Sequence, residues 1–264
     1  MSRLFTVFVN TSDGFEDCWG PFFTLWSRYA RALAGAPLLL NTERKSYAFN
    51  HLDVETTQVA IGSTLNHSWS ECLLRGLAQV TTPYVLYFQE DYFLKRDVCG
   101  AVVAKAIQCL EESEAVVCYL NQWGPQWKHA DESAGFLSIP YEAKYLLSTQ
   151  AAVWRVDALR ALVREWENGW AFEKFGTLRM RRARLSALQW TGDSAVDYTY
   201  TGVIKGQWLP ECVELFAKES ITVNFAKRGF YKQNGQLKTR FEVAQKLLSS
   251  PLGFLQSCWS VWGH

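Results

Sequence analysis

Short, nearly continuous apolar runs alternate along this chain with longer stretches in which apolar residues recur every three or four positions. Leu4–Val9 is the first run and predicts a buried strand, ending in the polar loop Asn10-Thr11-Ser12-Asp13-Gly14. Phe22, Leu25, Trp26, Tyr29 and Leu33 then repeat at helical spacing, with Pro21 near the first turn. Leu38–Leu40 predicts a second strand running into Asn41-Thr42-Glu43, and Gln58–Ile61 a third. Ser68-Trp69-Ser70-Glu71 has the capping-box spacing, in which Ser and Glu satisfy the free N–H groups of a starting helix. Trp69, Cys72, Leu73, Gly76, Leu77 and Val80 form one face of that helix. Thr81-Thr82-Pro83 stops it, and the chain enters the apolar run Tyr84–Phe88.

Further on, the pattern predicts a helix over Arg96–Glu111 and a buried strand at Ala115–Leu120. Tyr145–Trp154 reads as extended, Val156–Trp166 as helical, and Trp170–Phe175 as an aromatic turn or short helix. A basic stretch follows, then a strand near Tyr198–Lys205 and a loosely patterned tail. Strands alternating with amphipathic helices predict an α/β fold, a mostly parallel sheet with helices on both faces. No repeat or Pro/Gly/Ser linker divides the chain, so a single domain over residues 1–264 is expected.

Ligands of open α/β sheets bind beyond the C-terminal strand ends. That rule gathers Thr11–Asp13, Asn41–Glu43 and Gln89–Asp91 on one rim. The adjacent carboxylates Glu90 and Asp91, directly after an apolar strand, read either as solvated loop residues or as a hard-cation site. In the second reading one or two carboxylates hold Mg²⁺ or Mn²⁺ against a substrate diphosphate.

Composition narrows the classes. The 264 residues carry 27 basic and 26 acidic side chains, for a net charge of +1 at pH 7, which argues against a general nucleic-acid binder. Seven cysteines, an odd number with no CxxC pair, support neither a disulfide framework nor a zinc ribbon, and a reducing cytoplasm fits them. Twelve tryptophans are a mild pointer to sugar stacking, with Trp123, Trp127 and Trp208 as candidate platforms against the plainer reading of core packing. His51, His67, His129 and His264 have no ligand spacing. The uncharged tail Leu247–His264 reads as a packed or frayed terminus, or as an interfacial patch of Phe254, Leu255, Trp259 and Trp262 that would permit peripheral contact with the inner face of a membrane.

The unit "WSECLLRGLAQVTTPYVLYFQEDYFL" resembles the donor-binding core of GT-A glycosyltransferases, where an acidic turn after a strand binds metal and the nucleotide-sugar diphosphate. "LSTQAAVWRVDALRALVREWENGWAFE" and "GVIKGQWLPE" are similar to later segments of small bacterial enzymes of that fold. The resemblance covers most of residues 4–215, with Glu-Asp standing where Asp-X-Asp is common. It implies a donor-binding half over about residues 1–120 and an acceptor-binding, catalytic half over about 121–264. Asp91 matches the metal and diphosphate ligand, and Glu90 its partner or a ribose contact. Thr11, Ser12 and Asp13 match the nucleotide loop, with Glu43 and Arg75 as further donor contacts, although an exposed helix Arg is an equal reading of Arg75.

Glu173, flanked by aromatic residues, reads on chemistry alone either as a carboxylate raised by desolvation toward the range of a general base or as a cap at a helix start; by resemblance it matches the general base of an inverting enzyme. Arg179-Met180-Arg181-Arg182-Ala183-Arg184 is a solvated helix face, or else Arg181 and Arg182 hold the diphosphate or an anionic acceptor, which would dispense with a metal. The implied activity is transfer from a nucleotide-sugar to a saccharide or lipid-linked acceptor, in bacterial surface polysaccharide or lipooligosaccharide synthesis. The competing readings are a non-catalytic carbohydrate-binding module and a sugar-nucleotidyltransferase. The latter needs a Gly-rich basic loop that residues 10–14 lack.

Overall fold

A computed structural model of the chain describes residues 4–122, 132–133, 135–232 and 251–262. Its centre is a twisted sheet of β1 (Phe5–Asn10), β2 (Leu38–Asn41), β3 (Val54–Thr56), β4 (Tyr84–Gln89), β5 (Ala115–Tyr119), β6 (Glu132–Ser133), β7 (Phe136–Ser138), β8 (Ala152–Arg155) and β9 (Ser186–Trp190). The spatial order is β3-β2-β1-β4-β8-β5-β9-β7-β6. The block β3-β2-β1-β4 is parallel, as is the pair β5-β9, while β8 runs against both of its neighbours. Pairing of Tyr87 with Ala152 places the start of β8 where β4 ends. Whatever chain leads into β8 is thereby delivered to the same rim as the acidic turn.

Seven helices accompany the sheet among the described residues: α1 (Glu16–Tyr29), α2 (Trp69–Leu77), α3 (Gly100–Glu112), α4 (Val156–Leu162), α5 (Gly169–Arg182), α6 (Glu211–Lys218) and α7 (Pro251–Trp262). Alternate residues of each central strand face opposite layers. Val7, Val9, Leu86 and Phe88 join α1 and α3 in one core, with Trp19, Phe22, Phe23 and Val103. Phe8, Val85 and Tyr87 join α2, α4 and α5 in the other, with Leu73, Leu77, Leu159 and Phe172. Both faces are covered, so these strands read as unbroken apolar runs rather than as alternation. Full burial of side chains such as Phe22 or Leu73 is worth ~1.5–3 kcal/mol each, which lets two strands end in buried polar groups without unravelling.

Several expected boundaries move. The third strand is Val54–Thr56, not Gln58–Ile61, where Gln58 has φ 47 and cannot extend a strand. Helix α1 begins at Glu16, so Pro21 lies inside it rather than in its first turn. The helix expected from Arg96 starts at Gly100, because Lys95 and Arg96 are drawn into ion pairs with Asp197. Only Ala152–Arg155 of the Tyr145–Trp154 segment forms a strand, and α4 stops at Leu162. The aromatic turn at Trp170 is the start of a 14-residue helix that absorbs the arginine segment. Near Tyr198–Lys205 only Val203–Ile204 (β10) is a strand, turning back through Lys205 and Gly206, both at positive φ, into Gln207–Trp208 (β11). The capping box on α2 forms as expected, Ser68 accepting from Glu71 N while Glu71 accepts from Ser68 N.

Candidate active site

The β1 and β2 ends are tied together by Asp13. Its carboxylate accepts from the backbone N–H groups of Glu43 (3.0 Å), Arg44 (2.9 Å) and Lys45 (3.2 Å), while Asp13 N donates to Glu43 Oε2 at 3.2 Å. Asp13 and Glu43 therefore set the shape of the first rim loop. Thr11 is buried and accepts from Trp19 Nε1 at 2.9 Å. Ser12 stands at the start of the turn Asp13–Phe15 without capping it by its side chain. Beneath this loop Asn41 Nδ2 donates to Asn10 Oδ1 at 2.8 Å and Thr57 Oγ1 to Asn41 Oδ1 at 2.8 Å. Gly76 makes room for this arrangement: a Cβ there would lie 2.1 Å from Asn41 Oδ1. Arg75 is exposed and donates to Val59 O at 3.2 Å, at the β3 edge of the rim.

Glu90 and Asp91 are 7% and 6% exposed, so neither is a solvated loop residue. Asp91 Oδ2 accepts three bonds from one later loop: Thr201 Oγ1 at 2.8 Å, Gly202 N at 3.0 Å and Val203 N at 3.1 Å. Gly202 is close to obligatory, since a Cβ would meet Phe93 at 2.2 Å. Burial raises the Asp91 pKa, opposed by those three bonds. Burial, together with the charge of Asp91, holds the Glu90 carboxyl well above the usual carboxylate range, and Arg228 offsets only part of this. Arg228 is stacked over Phe15 at 4.6 Å, donates from Nε to Asp17 Oδ2 at 2.7 Å and from Nη2 to Gly14 O at 2.6 Å. It thus pins residues 14–17 beside the acidic turn.

Glu173 sits in the second turn of α5, whose N-terminus is capped by Asn168 accepting from Ala171 N at 2.9 Å. Its Oε1 accepts from Thr149 N at 2.7 Å, Thr149 Oγ1 at 2.9 Å and Ser148 Oγ at 3.2 Å. The aromatics that flank it in sequence do not enclose it. Phe172 turns into the core against Trp69, and Trp170 is 60% exposed. The residues around the carboxylate are instead polar, and they lead back to the acidic turn. Tyr92, next to Asp91, donates to Thr149 O at 3.1 Å, and Gln150 Nε2 donates to Tyr92 Oη at 3.3 Å. Tyr198 stacks on Tyr92 with ring centroids 4.8 Å apart and donates to Gln150 Oε1 at 2.8 Å. The segment 148–151 entering β8 is therefore the bridge between Glu173 and Asp91.

The basic segment goes elsewhere. Strand β9, which follows α5, starts at Ser186 opposite Ala115, the first residue of β5, so the C-terminal end of α5 lies at the edge away from the rim. Arg181 donates to the carbonyls of Tyr141, Glu142 and Ala143, and Arg182 to Val261 O. Arg179 is buried against Glu167. Neither Arg181 nor Arg182 is placed to meet a diphosphate at Asp91. Trp208, a candidate sugar platform against the plainer reading of core packing, is fully buried beneath α6, packed edge-on against Phe216. Trp123 and Trp127 lie outside the described residues. The cysteines Cys18, Cys72, Cys99, Cys109, Cys118, Cys212 and Cys258 are all free.

Sequence reasoning missed Tyr92, Thr149, Gln150, Tyr198, Thr201, Gly202 and Arg228. The polar triplet Ser148-Thr149-Gln150 interrupting an apolar segment was a usable signal. For Arg228 there was none, because its partners Asp17 and Gly14 are more than two hundred positions away in sequence.

No protein-family model matches the chain, and no curated protein matches it by sequence. Solved structures do. Residues 1–349 of TarS from S. aureus, in complex with UDP, align with 96% of this chain and 80% of that one at 15% identity and a TM-score of 0.50. A longer TarS structure gives 14% identity and a TM-score of 0.49, and this chain spans 49% of its length. Glucosyl-3-phosphoglycerate synthase from Mycobacterium tuberculosis, with Mn²⁺, UDP-glucose and phosphoglyceric acid, covers 84% of this chain and 81% of its own at 12% identity and a TM-score of 0.48. The fold is of the GT-A type.

Proposed function

We propose that this protein is a nucleotide-sugar-dependent glycosyltransferase acting by inversion on a saccharide or lipid-linked saccharide acceptor, in the assembly of a bacterial surface polysaccharide or lipooligosaccharide. The observation that carries the reading is the pair of buried carboxylates, Glu90 and Asp91, at the end of central strand β4, joined through Tyr92 and Thr149 to Glu173. The similar TarS structure holds UDP, which supports a nucleotide at this rim.

A divalent cation fits this donor set only in part. Among the described residues no group of three His, Cys, Asp or Glu side chains could hold a metal alone, and Asp91 Oδ2 is committed to three donors. Asp91 Oδ1 and Glu90 remain, two hard oxygen donors suited to a Mg²⁺ or Mn²⁺ whose other ligands are phosphate oxygens and water. Bound there, such a cation would neutralise the charge of the departing diphosphate. The first rim loop, with Thr11, Ser12, Asp13 and Glu43, forms the wall for the base and ribose, and Arg75 the outer edge.

Glu173, on the opposite side of the bridge, takes the proton of the acceptor hydroxyl. The freed oxygen attacks the anomeric carbon from the face opposite the diphosphate, and the bond to the phosphate oxygen breaks with its electron pair leaving on the nucleoside diphosphate. Three donors on Oε1 fix the carboxylate, so that Oε2 can be aimed at the acceptor.

A thermal-shift series with UDP, GDP and CMP, each with and without Mn²⁺, tests the reading. One nucleotide should raise Tm by several degrees, since a hundredfold excess over Kd adds ~2.7 kcal/mol, and Mn²⁺ should enlarge the shift. Stabilisation by free saccharides alone, with none by any nucleotide, would return the protein to the carbohydrate-binding class.

A further inference from the structure

Helix α7 has two unlike faces and no charged residue along its sequence PLGFLQSCWSVW. Gly253, Ser257 and Val261 are buried, and Val261 and Phe254 pack on Ala171, Phe175 and Leu178 of α5. Leu252, Leu255, Trp259 and Trp262 face away, 68%, 63%, 67% and 69% exposed. Their spacing of three, four and three residues puts all four on one narrow stripe. Large apolar side chains exposed in a row mark an interaction surface rather than ordinary surface scatter.

We propose that this stripe docks the protein on an anionic phospholipid surface, with α7 lying along the interface. Three observations select that partner. First, twelve residues of helix reach ~18 Å, well short of the ~30 Å hydrocarbon core, and among the described residues no helix is long and apolar enough to cross a membrane. Second, the stripe is made of Leu and Trp, the side chains that settle at the boundary between headgroups and acyl chains. Third, the flanking charge is basic. Lys174 stands over Phe175, which itself packs on Phe254, and Arg184 is exposed just beyond the end of α5. Arg182, also exposed, donates to Val261 O at 2.5 Å and so lies against the last turn of α7. Cations beside an apolar stripe complement phosphate headgroups.

The placement also gives the surface a purpose, a clause that rests on the proposed transferase reading. Helix α5 carries α7 on one side and Glu173 in its second turn, with Trp170 exposed three residues earlier. A docked α7 would present the Glu173 end of α5 to acceptors held at the membrane.

The test is co-sedimentation of the full chain with vesicles of phosphatidylcholine alone and of phosphatidylcholine mixed with phosphatidylglycerol. The full chain should pellet with the mixed vesicles and much less with the neutral ones. Leu255→Glu combined with Trp259→Glu should lower partitioning by on the order of tenfold or more, and Lys174→Glu with Arg184→Glu should abolish the preference for the anionic lipid. The second pair replaces two exposed side chains and no buried one, so it stays informative if the first misfolds. Equal pelleting with both vesicle types, no pelleting with either, or a dimer in analytical ultracentrifugation that Trp259→Glu dissolves would overturn the proposal. Nucleotide thermal shifts measured on the same variants separate this outcome from failure of the transferase reading.

Discussion

Two regions of the molecule bury carboxylates, and they do so in opposite ways. Beside α5, Glu167 is fully enclosed and meets Arg179 in a two-pronged pair, Oε1 to Nη1 at 2.7 Å and Oε2 to Nη2 at 2.6 Å. At the rim, Glu90 and Asp91 are buried side by side, and the nearest cation that acts on Glu90, Arg228, is already engaged by Asp17. A buried charge with a matched partner holds a structure together. A buried pair of like charges costs stability and persists where a ligand supplies the missing positive charge. The same side-chain chemistry thus serves architecture in one region and, on the proposed reading, donor binding in the other.

Replacing Asp91 with Asn is the sharpest attempt to break that contrast. Asn keeps an acceptor for Thr201 but loses the charge, so transfer should fall by ~10³-fold or more, with metal-dependent nucleotide affinity reduced and the folded state retained by circular dichroism. Turnover and affinity at the parent level would remove Asp91 from the site. By contrast, Glu167→Ala strands the Arg179 guanidinium in the core and should lower unfolding free energy by roughly 3–5 kcal/mol, read from urea melts, while nucleotide binding at the rim is unchanged.

Glu173→Gln sits between the two cases, because it alters neither buried pair. It should leave donor affinity nearly intact and reduce kcat by roughly a hundredfold, and NMR of the parent enzyme's product should show an inverted anomeric centre. A mutant with most of its kcat, or a retained configuration, would reject the general-base assignment.

The smallest expected effect has a pH signature. A carboxyl raised above its unfolded value binds a proton more tightly when folded, so stability falls as pH rises from the ordinary carboxylate range through the raised pKa. Without ligands, Glu90→Gln should therefore raise Tm at neutral and higher pH, by a few degrees at most, and leave it unchanged near pH 4, around the ordinary Glu value. A loss of stability at neutral pH would mean that Glu90 is paired after all.

The sequence by itself determined the strand–helix alternation, because continuous apolar runs and three-to-four spacing follow from how strands and helices bury their faces. The run Tyr84–Phe88 became β4, the capping box opened α2, and Glu90-Asp91 fell at a strand end where the sheet's polarity puts ligands. Its carboxylates, Glu173 included, were nameable from local pattern and resemblance. The tertiary structure alone decided who surrounds them. That β8 inserts backwards between β4 and β5, bringing Thr149 and Gln150 to the rim, depends on pairing across some seventy positions, which no local pattern encodes. The arginine segment looked like an anion site because charge density is visible in a sequence and direction is not. Helix α5 pointed it away from the rim, and carbonyl and carboxylate partners at residues 141–143, 167 and 261 engaged Arg179, Arg181 and Arg182. For Trp208 the plainer reading of core packing held, and α6 buries it. Local periodicity fixes which residues leave water, whereas long-range packing fixes which of the remaining polar groups meet, and function resides in those meetings.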